Sequence, residues 1–204
     1  VSCTAAGRLL PGLRLDASGE LRLSQGAFSL QDKKGIVTAQ AEKAQLRWTL
    51  REKTLSGDLD LLLTNHGSLK AEFRLPVEAR LPVVLDAEGP VQLAARADMR
   101  EKGLLSSLFP GLIQESRGRL ALNGSVDGTW SAPKIHGTLR VDQAGAYLPS
   151  TGIQLSDVTM DAQFEDQTLR ITSFGARSGP GQLEGTGTVW LMDWGIDRID
   201  MNLS

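Results

Sequence analysis

The strongest constraint in this sequence is a period of two: through much of its 204 residues, apolar side chains alternate with polar or small ones. Successive side chains of a strand point to opposite faces, so this pattern makes strands with one greasy and one wet face. Leu13, Leu15, Ala17, Gly19, Leu21 and Leu23 alternate with Arg14, Asp16, Ser18, Glu20 and Arg22. Ala44, Leu46, Trp48 and Leu50 follow, then Leu55, Gly57, Leu59, Leu61 and Leu63, then Leu69, Ala71, Phe73 and Leu75. The second half repeats the habit in Leu120, Leu122, Gly124, Val126 and Gly128, in Ile135, Gly137, Leu139 and Val141, and in Val158, Met160, Ala162 and Phe164. Leu169, Ile171 and Ser173 form a shorter run, followed by Leu183, Gly185, Gly187, Val189 and Leu191 and by Ile199, Met201 and Leu203.

Turn signals separate the runs: Asn65-His66-Gly67, Glu88-Gly89-Pro90, Glu165-Asp166-Gln167 and Ser178-Gly179-Pro180-Gly181. Runs closed this often by Gly, Pro, Asn and Asp predict an all-β antiparallel meander of about a dozen strands. A loose unit of glycine followed by two aliphatics at alternate positions recurs at Gly19–Leu23, Gly89–Leu93, Gly118–Leu122 and Gly137–Val141. It predicts a quasi-one-dimensional array without a fixed period. One stretch departs from alternation: Leu104, Leu105, Leu108 and Leu112 fit helical spacing, and Pro110-Gly111 stop them. A short amphipathic helix is expected over about 102–109. The strand glycines Gly124, Gly128, Gly137, Gly185 and Gly187 are expected to mark points of curvature.

The chain carries a net charge of -2 and no basic block, so it lacks the electrostatic footprint of nucleic-acid binding. Aromatics make up only 5% of it, which leaves the apolar load to Leu, Val, Ile and Ala. Cys3 is the single cysteine and has no partner for an internal disulfide. No run of about 18 apolar residues occurs, so any membrane anchor is expected outside this stretch. His66 and His136 stand apart, the first in a turn and the second on a polar strand face, and both are expected to be solvent-exposed. No nucleophile elbow, phosphate loop or dinucleotide fingerprint is present. The reading is of a protein that is not an enzyme and needs no metal or cofactor.

From about residue 102 to 192 the chain resembles the TamB family of AsmA-like proteins. The resemblance is carried by Leu104-Leu105-Ser106-Ser107-Leu108-Phe109-Pro110 and Gly118-Arg119-Leu120, then by Gly128-Thr129-Trp130-Ser131-Ala132-Pro133-Lys134-Ile135-His136-Gly137-Thr138-Leu139. Gly145-Ala146-Tyr147-Leu148-Pro149, Gly152-Ile153, Leu155-Ser156-Asp157-Val158 and Gly179-Pro180-Gly181-Gln182-Leu183-Glu184-Gly185-Thr186-Gly187 complete the series. Residues 1–101 share the alternation but fewer of the distinctive words. The resemblance implies a periplasmic segment of a longer protein held at the inner membrane by a helix outside this chain. It implies a sheet rolled into an open, taco-like trough with an apolar interior, one trough segment spanning 1–204. The implied roles are phospholipid transport between the inner and outer membranes and outer-membrane protein assembly. The implied partners are phospholipid or detergent acyl chains, a TamA-like Omp85 outer-membrane protein and nascent outer-membrane proteins.

A single sheet with one apolar face must cover that face with another layer or with a guest. The side chains expected to line such a lipid groove are Leu46, Trp48, Leu59, Leu61, Leu63, Leu69, Phe73, Leu120, Leu122, Val126, Leu139, Val141, Val158, Met160, Phe164, Leu169, Ile171, Leu183, Val189 and Leu191. Trp130, Trp190 and Trp194 are further candidates, either for groove contacts or for packing in the core or at its rim. Two other readings of the alternation compete: a protein-binding module that takes up unfolded strands by β-augmentation, and a transmembrane β-barrel, for which the aromatic girdles are weak.

Overall fold

The computed structural model describes residues 2–10, 14–32, 35–78, 82–102, 114–192 and 194–204. They form one antiparallel sheet of 13 strands, with no helix among the described residues. The strands are β1 (Ser2–Leu10), β2 (Arg14–Asp32), β3 (Gly35–Arg51), β4 (Thr54–Leu63), β5 (Gly67–Glu78), β6 (Val84–Leu85) and β7 (Gln92–Lys102). They continue as β8 (Gln114–Gly128), β9 (Pro133–Leu148), β10 (Ile153–Asp166), β11 (Thr168–Ser178), β12 (Gly181–Met192) and β13 (Gly195–Leu203). Each pairs with its predecessor in sequence, except that β7 adds to β5 and the two-residue β6 pairs with the end of β5. The sheet is open. β1 pairs only with β2 and β13 only with β12, so no barrel closes. The helix expected near 102–109 lies outside the described residues, apart from Lys102 at the end of β7.

The strands are long: β2 runs 19 residues, β3 17 and β9 16. A typical strand has about 5–6 residues, and strands this long hold their faces only if something absorbs their twist. The register slips between Ala41 and Lys43 on β3, between Gln114 and Arg119 on β8, between Leu155 and Met160 on β10, and between Ile171 and Phe174 on β11. These slips fall within a few residues of one transverse line through Leu120, Val141 and Met160, whereas a further slip, at Trp190–Leu191 on β12, lies near the opposite end of its strand. A bulge inserts an unpaired residue and bends its strand, so curvature concentrates along that line.

The residues that take the strained backbone at these bends are not the expected glycines. Gln25, Glu115, Gln143 and Asp157 lie within strands at φ of 51, 53, 49 and 51°. The glycines serve a different purpose. Gly137, at φ 150°, faces Gly124 so closely that a Cβ there would sit 2.3 Å from the Asn123 carbonyl oxygen. Gly187 leaves room for Met201, whose sulfur lies 2.4 Å from where a Cβ would be. They admit close approach rather than bending.

The core is thin. Its buried apolar residues include Ala41, Leu50, Leu63, Val77, Val91, Ala97, Val126, Ala162, Ile171, Ala176 and Val189. No bulky side chain among the described residues is completely buried, and the extensive contacts all run between neighbouring strands. No second layer packs on the sheet among the described residues.

The left-handed backbone disfavours β-branched side chains by about 1–2 kcal/mol, whereas Gly adopts it freely. Asp157→Val is therefore expected to lower the free energy of unfolding in urea by about that amount, and Asp157→Gly to leave it unchanged or higher. Equal losses in both variants would show that the bend carries no strain.

Candidate apolar surface and its rim

Paired residues of adjacent strands project to the same face, so the register places each side chain. One transverse row runs Leu21, Leu46, Leu59, Ala71, Ala95, Gly124, Gly137, Phe164, Leu169, Val189, Ile199, from β2 to β13. Beside it runs Leu23, Ala44, Leu61, Leu69, Ala97, Leu122, Leu139, Ala162, Ile171, Gly187, Met201. A third comprises Ala41, Leu63, Gly67, Met99, Leu120, Val141, Met160, Phe174, Gly185, Leu203. A fourth holds Gly19, Trp48, Gly57, Phe73, Leu93, Val126 and Ile135. All four rows lie on one face.

The lining residues expected from the sequence fall on that face. Leu46, Leu59, Phe164, Leu169 and Val189 are in the first row; Leu61, Leu69, Leu122, Leu139 and Ile171 are in the second. Leu63, Leu120, Val141 and Met160 are in the third, and Trp48, Phe73 and Val126 in the fourth. Val158 and Leu183 continue the alternation of β10 and β12, and Leu191 packs on the cluster of Ala162, Ile171 and Val189. Most of these side chains are half-buried: they touch neighbours along the sheet, and no second layer among the described residues covers them.

The alanines and glycines that complete the rows were not among the expected lining residues, and neither were Met99 and Phe174. Phe174 was hidden by a bulge: alternation from Ile171 points to Ser173, but the register slip brings Phe174 opposite Met160 and Gly185. Ala41 and Ala44, three apart, reach the same face by a slip on β3.

Of the tryptophans, Trp48 lies on the apolar face, its ring filling the space above Gly19. Trp190 turns the other way, opposite Thr168 and Arg198, with the Arg198 guanidinium 3.8 Å from its ring centre. Trp130, in the β8–β9 turn, and Trp194, in the β12–β13 turn, meet with ring centres 4.6 Å apart and planes at 33°. The Trp194 Nε1–H donates to the Trp130 carbonyl oxygen at 3.1 Å. Strands are spaced about 4.8 Å, so turns four spacings apart would sit about 19 Å apart on a flat sheet. Curl and the reach of two indoles close that gap. The 86–91 segment joins the same rim: Val91 N–H donates to the Gly128 carbonyl at 2.9 Å, and the Ser131 hydroxyl to Glu88 Oε1 at 2.6 Å.

The opposite face is polar and laced with ion pairs. Arg47 donates to Asp58 at 2.9 Å, Lys43 to Asp60 at 2.5 Å and Arg140 to Asp161 at 3.0 Å, while Arg119 grips Asp98 with two bonds of 2.9 and 2.5 Å. Hydrogen bonds from Lys43 and from Arg119 hold the Asp60 and Asp98 carboxyls below their ordinary range. The Gln45 amide, with Arg22 beside it, does the same to Glu20. Two open concavities of about 560 and 510 Å³ lie against this polar face. One is walled by Ser18, Glu20, Arg47, Thr49, Ser56 and Asp58, the other by Arg96, Asp98, Asn123, Arg140, Asp161 and Gln163. Most of their charged walls are already paired. His136 is exposed, 3.8 Å from both Asp127 and Asp166. His66 departs from the expected solvent exposure: it is half-buried, and its Nδ1 has no hydrogen-bond partner. No group of His, Cys, Asp and Glu among the described residues could hold a metal.

A carboxylate with a depressed pKa in the fold stabilises it above the unfolded-state pKa, and that contribution disappears as pH falls through the folded value. Stability is therefore expected to decline below the ordinary carboxylate range. Exposed pairs are screened by salt, so added salt should shrink the decline in urea unfolding, and in Asp98→Asn it should be smaller still. A pH dependence indifferent to salt would assign it to groups other than these pairs. No family model, curated protein or solved structure matches the chain.

Proposed function

We propose that this chain is a periplasmic segment of a TamB-like protein, whose sheet is a taco-like trough that receives phospholipid acyl chains. The observation that carries this reading is an apolar surface continuous in register from β2 to β13, which no layer of described residues covers. The surface is mostly aliphatic, with few polar donors, and about as apolar as a lipid tail. Each methylene moved onto it from water is worth about 0.8 kcal/mol, so a chain of about fifteen carbons offers on the order of 10 kcal/mol. Passage along such a surface needs no chemistry, because successive sites are nearly equivalent. Transport between the two membranes, with a TamA-like Omp85 protein at the far side, would use it in this way.

Photo-crosslinking residues at Leu61, Leu122 and Met160 are expected to capture phospholipid, read by mass spectrometry. Leu122→Asp and Val141→Arg place a charge on the surface and are expected to lower lipid recovery about tenfold, the equivalent of losing roughly two methylene contacts. Their circular dichroism should stay β. Absence of lipid adducts at all three positions, or unfolding of both variants, would sink the reading and make the face an ordinary core.

A second reading draws on the β13 edge, where Ile196, Ile199 and Leu203 are 67, 57 and 47% exposed. Ser204 and Glu184 exchange both backbone hydrogen bonds. Alternation then turns the N–H groups of Ile199, Met201 and Leu203 outward, to a side on which no described strand pairs and where an extended strand of an unfolded outer-membrane protein would add. Ile199→Pro removes one outward donor and leaves the ladder to β12 intact. It is expected to abolish pull-down of outer-membrane protein fragments while sparing lipid capture. Unchanged pull-down would remove this reading.

A further inference from the structure

One row of the polar face carries no carboxylate between β5 and β11. It runs Lys70, Arg96, Asn123, Thr138, Gln163, Arg170, each directly opposite the next across a strand pair. Lys70 and Arg96 therefore face each other, and like charges in opposite positions cost stability. By contrast, Arg47 faces Asp58 and Arg140 faces Asp161, each as an ion pair. Asp60, opposite Lys70 on β4, is already held by Lys43. On the side of the row away from Asp98, the residues beside Arg96 are the uncharged Ala94 and Ser125.

The middle of this row lines the open concavity of about 510 Å³, within the range of about 300–1,000 Å³ common for ligand pockets. Two carboxylates line it as well, and both are taken. Arg119 holds the two oxygens of Asp98 at 2.9 and 2.5 Å, and Arg140 holds Asp161 at 3.0 Å. The Thr172 hydroxyl donates to the Asp161 carbonyl oxygen at 3.0 Å. Among the described residues, the side chains of Arg96, Asn123, Thr138 and Gln163 have no hydrogen-bond or ion-pair partner. The concavity thus offers a guanidinium, then an amide, a hydroxyl and a second amide, one per strand at spacings of about 4.8 Å. A guanidinium takes an oxyanion through two parallel N–H groups, and Lys70 behind it adds to the local positive potential. Amides and hydroxyls both donate and accept, which suits a ligand body rich in hydroxyls. We infer that this concavity binds an acidic sugar, its phosphate or carboxylate on Arg96 and its hydroxyls on Asn123, Thr138 and Gln163. The site lies on the face opposite the aliphatic rows and does not rest on the lipid-binding reading.

Saturation-transfer NMR on the chain tests it, with glucose-6-phosphate, glucuronate, glucose and inorganic phosphate titrated separately. At least one of the two acidic sugars is expected to saturate a single site, and the one that binds more tightly names the anion. Glucose and inorganic phosphate each lack half of the contacts and are expected to bind at least about tenfold more weakly. Arg96→Gln is expected to weaken the acidic sugar about tenfold, and added salt to weaken its binding to the parent chain. Arg170→Gln removes the same charge from the same row outside the concavity and is expected to change nothing. Both arginines are exposed, and circular dichroism checks that the two variants keep the parent's β spectrum. Equal weakening by the two variants would reduce the effect to net charge and overturn the proposal. Absence of saturable binding by either acidic sugar would overturn it too. Inorganic phosphate binding as tightly as the acidic sugars would overturn it as a sugar site.

Discussion

The structure depends on one constraint: every strand must present its apolar side chains to the same face, in register with its neighbours, although a strand meets only the strands beside it in the sheet. A slip of a single residue would turn a whole strand inside out. In a closed core, packing from a second layer corrects such errors. Here no second layer is present among the described residues, so register rests on the strand pairs themselves and on short turns such as Asn65–Gly67 and Gly179–Pro180. The bulges are consistent with this demand. At Ala41–Ala44 and Ile171–Phe174 the spacing along the chain changes from two to three, yet the apolar parity resumes on the far side.

The two faces meet that demand differently. On the apolar side, alanines and glycines are interspersed among Leu, Met and Phe, so that several large side chains lie over small neighbours. Trp48 over Gly19, Phe73 over Gly57 and Met201 over Gly187 are three instances of one device. On the polar side, oppositely charged residues face each other or sit diagonally, as in Arg47 with Asp58 and Asp98 with Arg119. These pairs are exposed and each stabilises little. A slipped register would set unlike partners apart, so they favour specificity more than strength.

Much of the sheet was legible in the chain because period-two alternation is local and needs no knowledge of neighbours. The class, the approximate number of strands, the turns at Asn65–Gly67 and Gly179–Pro180, and the side on which Leu46, Leu122 or Val189 sits all follow from it. The places where reading failed are places where alternation is interrupted. Ser173 looked like the next inward residue after Ile171, but a bulge substitutes Phe174. Bends were expected at glycines, yet Gln143 and Asp157 take the left-handed backbone instead. Propensity names residues that adopt such a backbone cheaply; it does not say where the fold requires one.

What the sequence alone determined is the existence of two chemically distinct faces, because alternation of side-chain direction is a property of the extended backbone. What only the tertiary structure decided is what those faces meet. Whether β1 and β13 join into a barrel, whether another layer covers the leucines, and whether Trp130 reaches Trp194 across 64 residues are questions of sheet curvature. Curvature sums small twists and bulges over the whole sheet, and no single stretch of residues carries that sum.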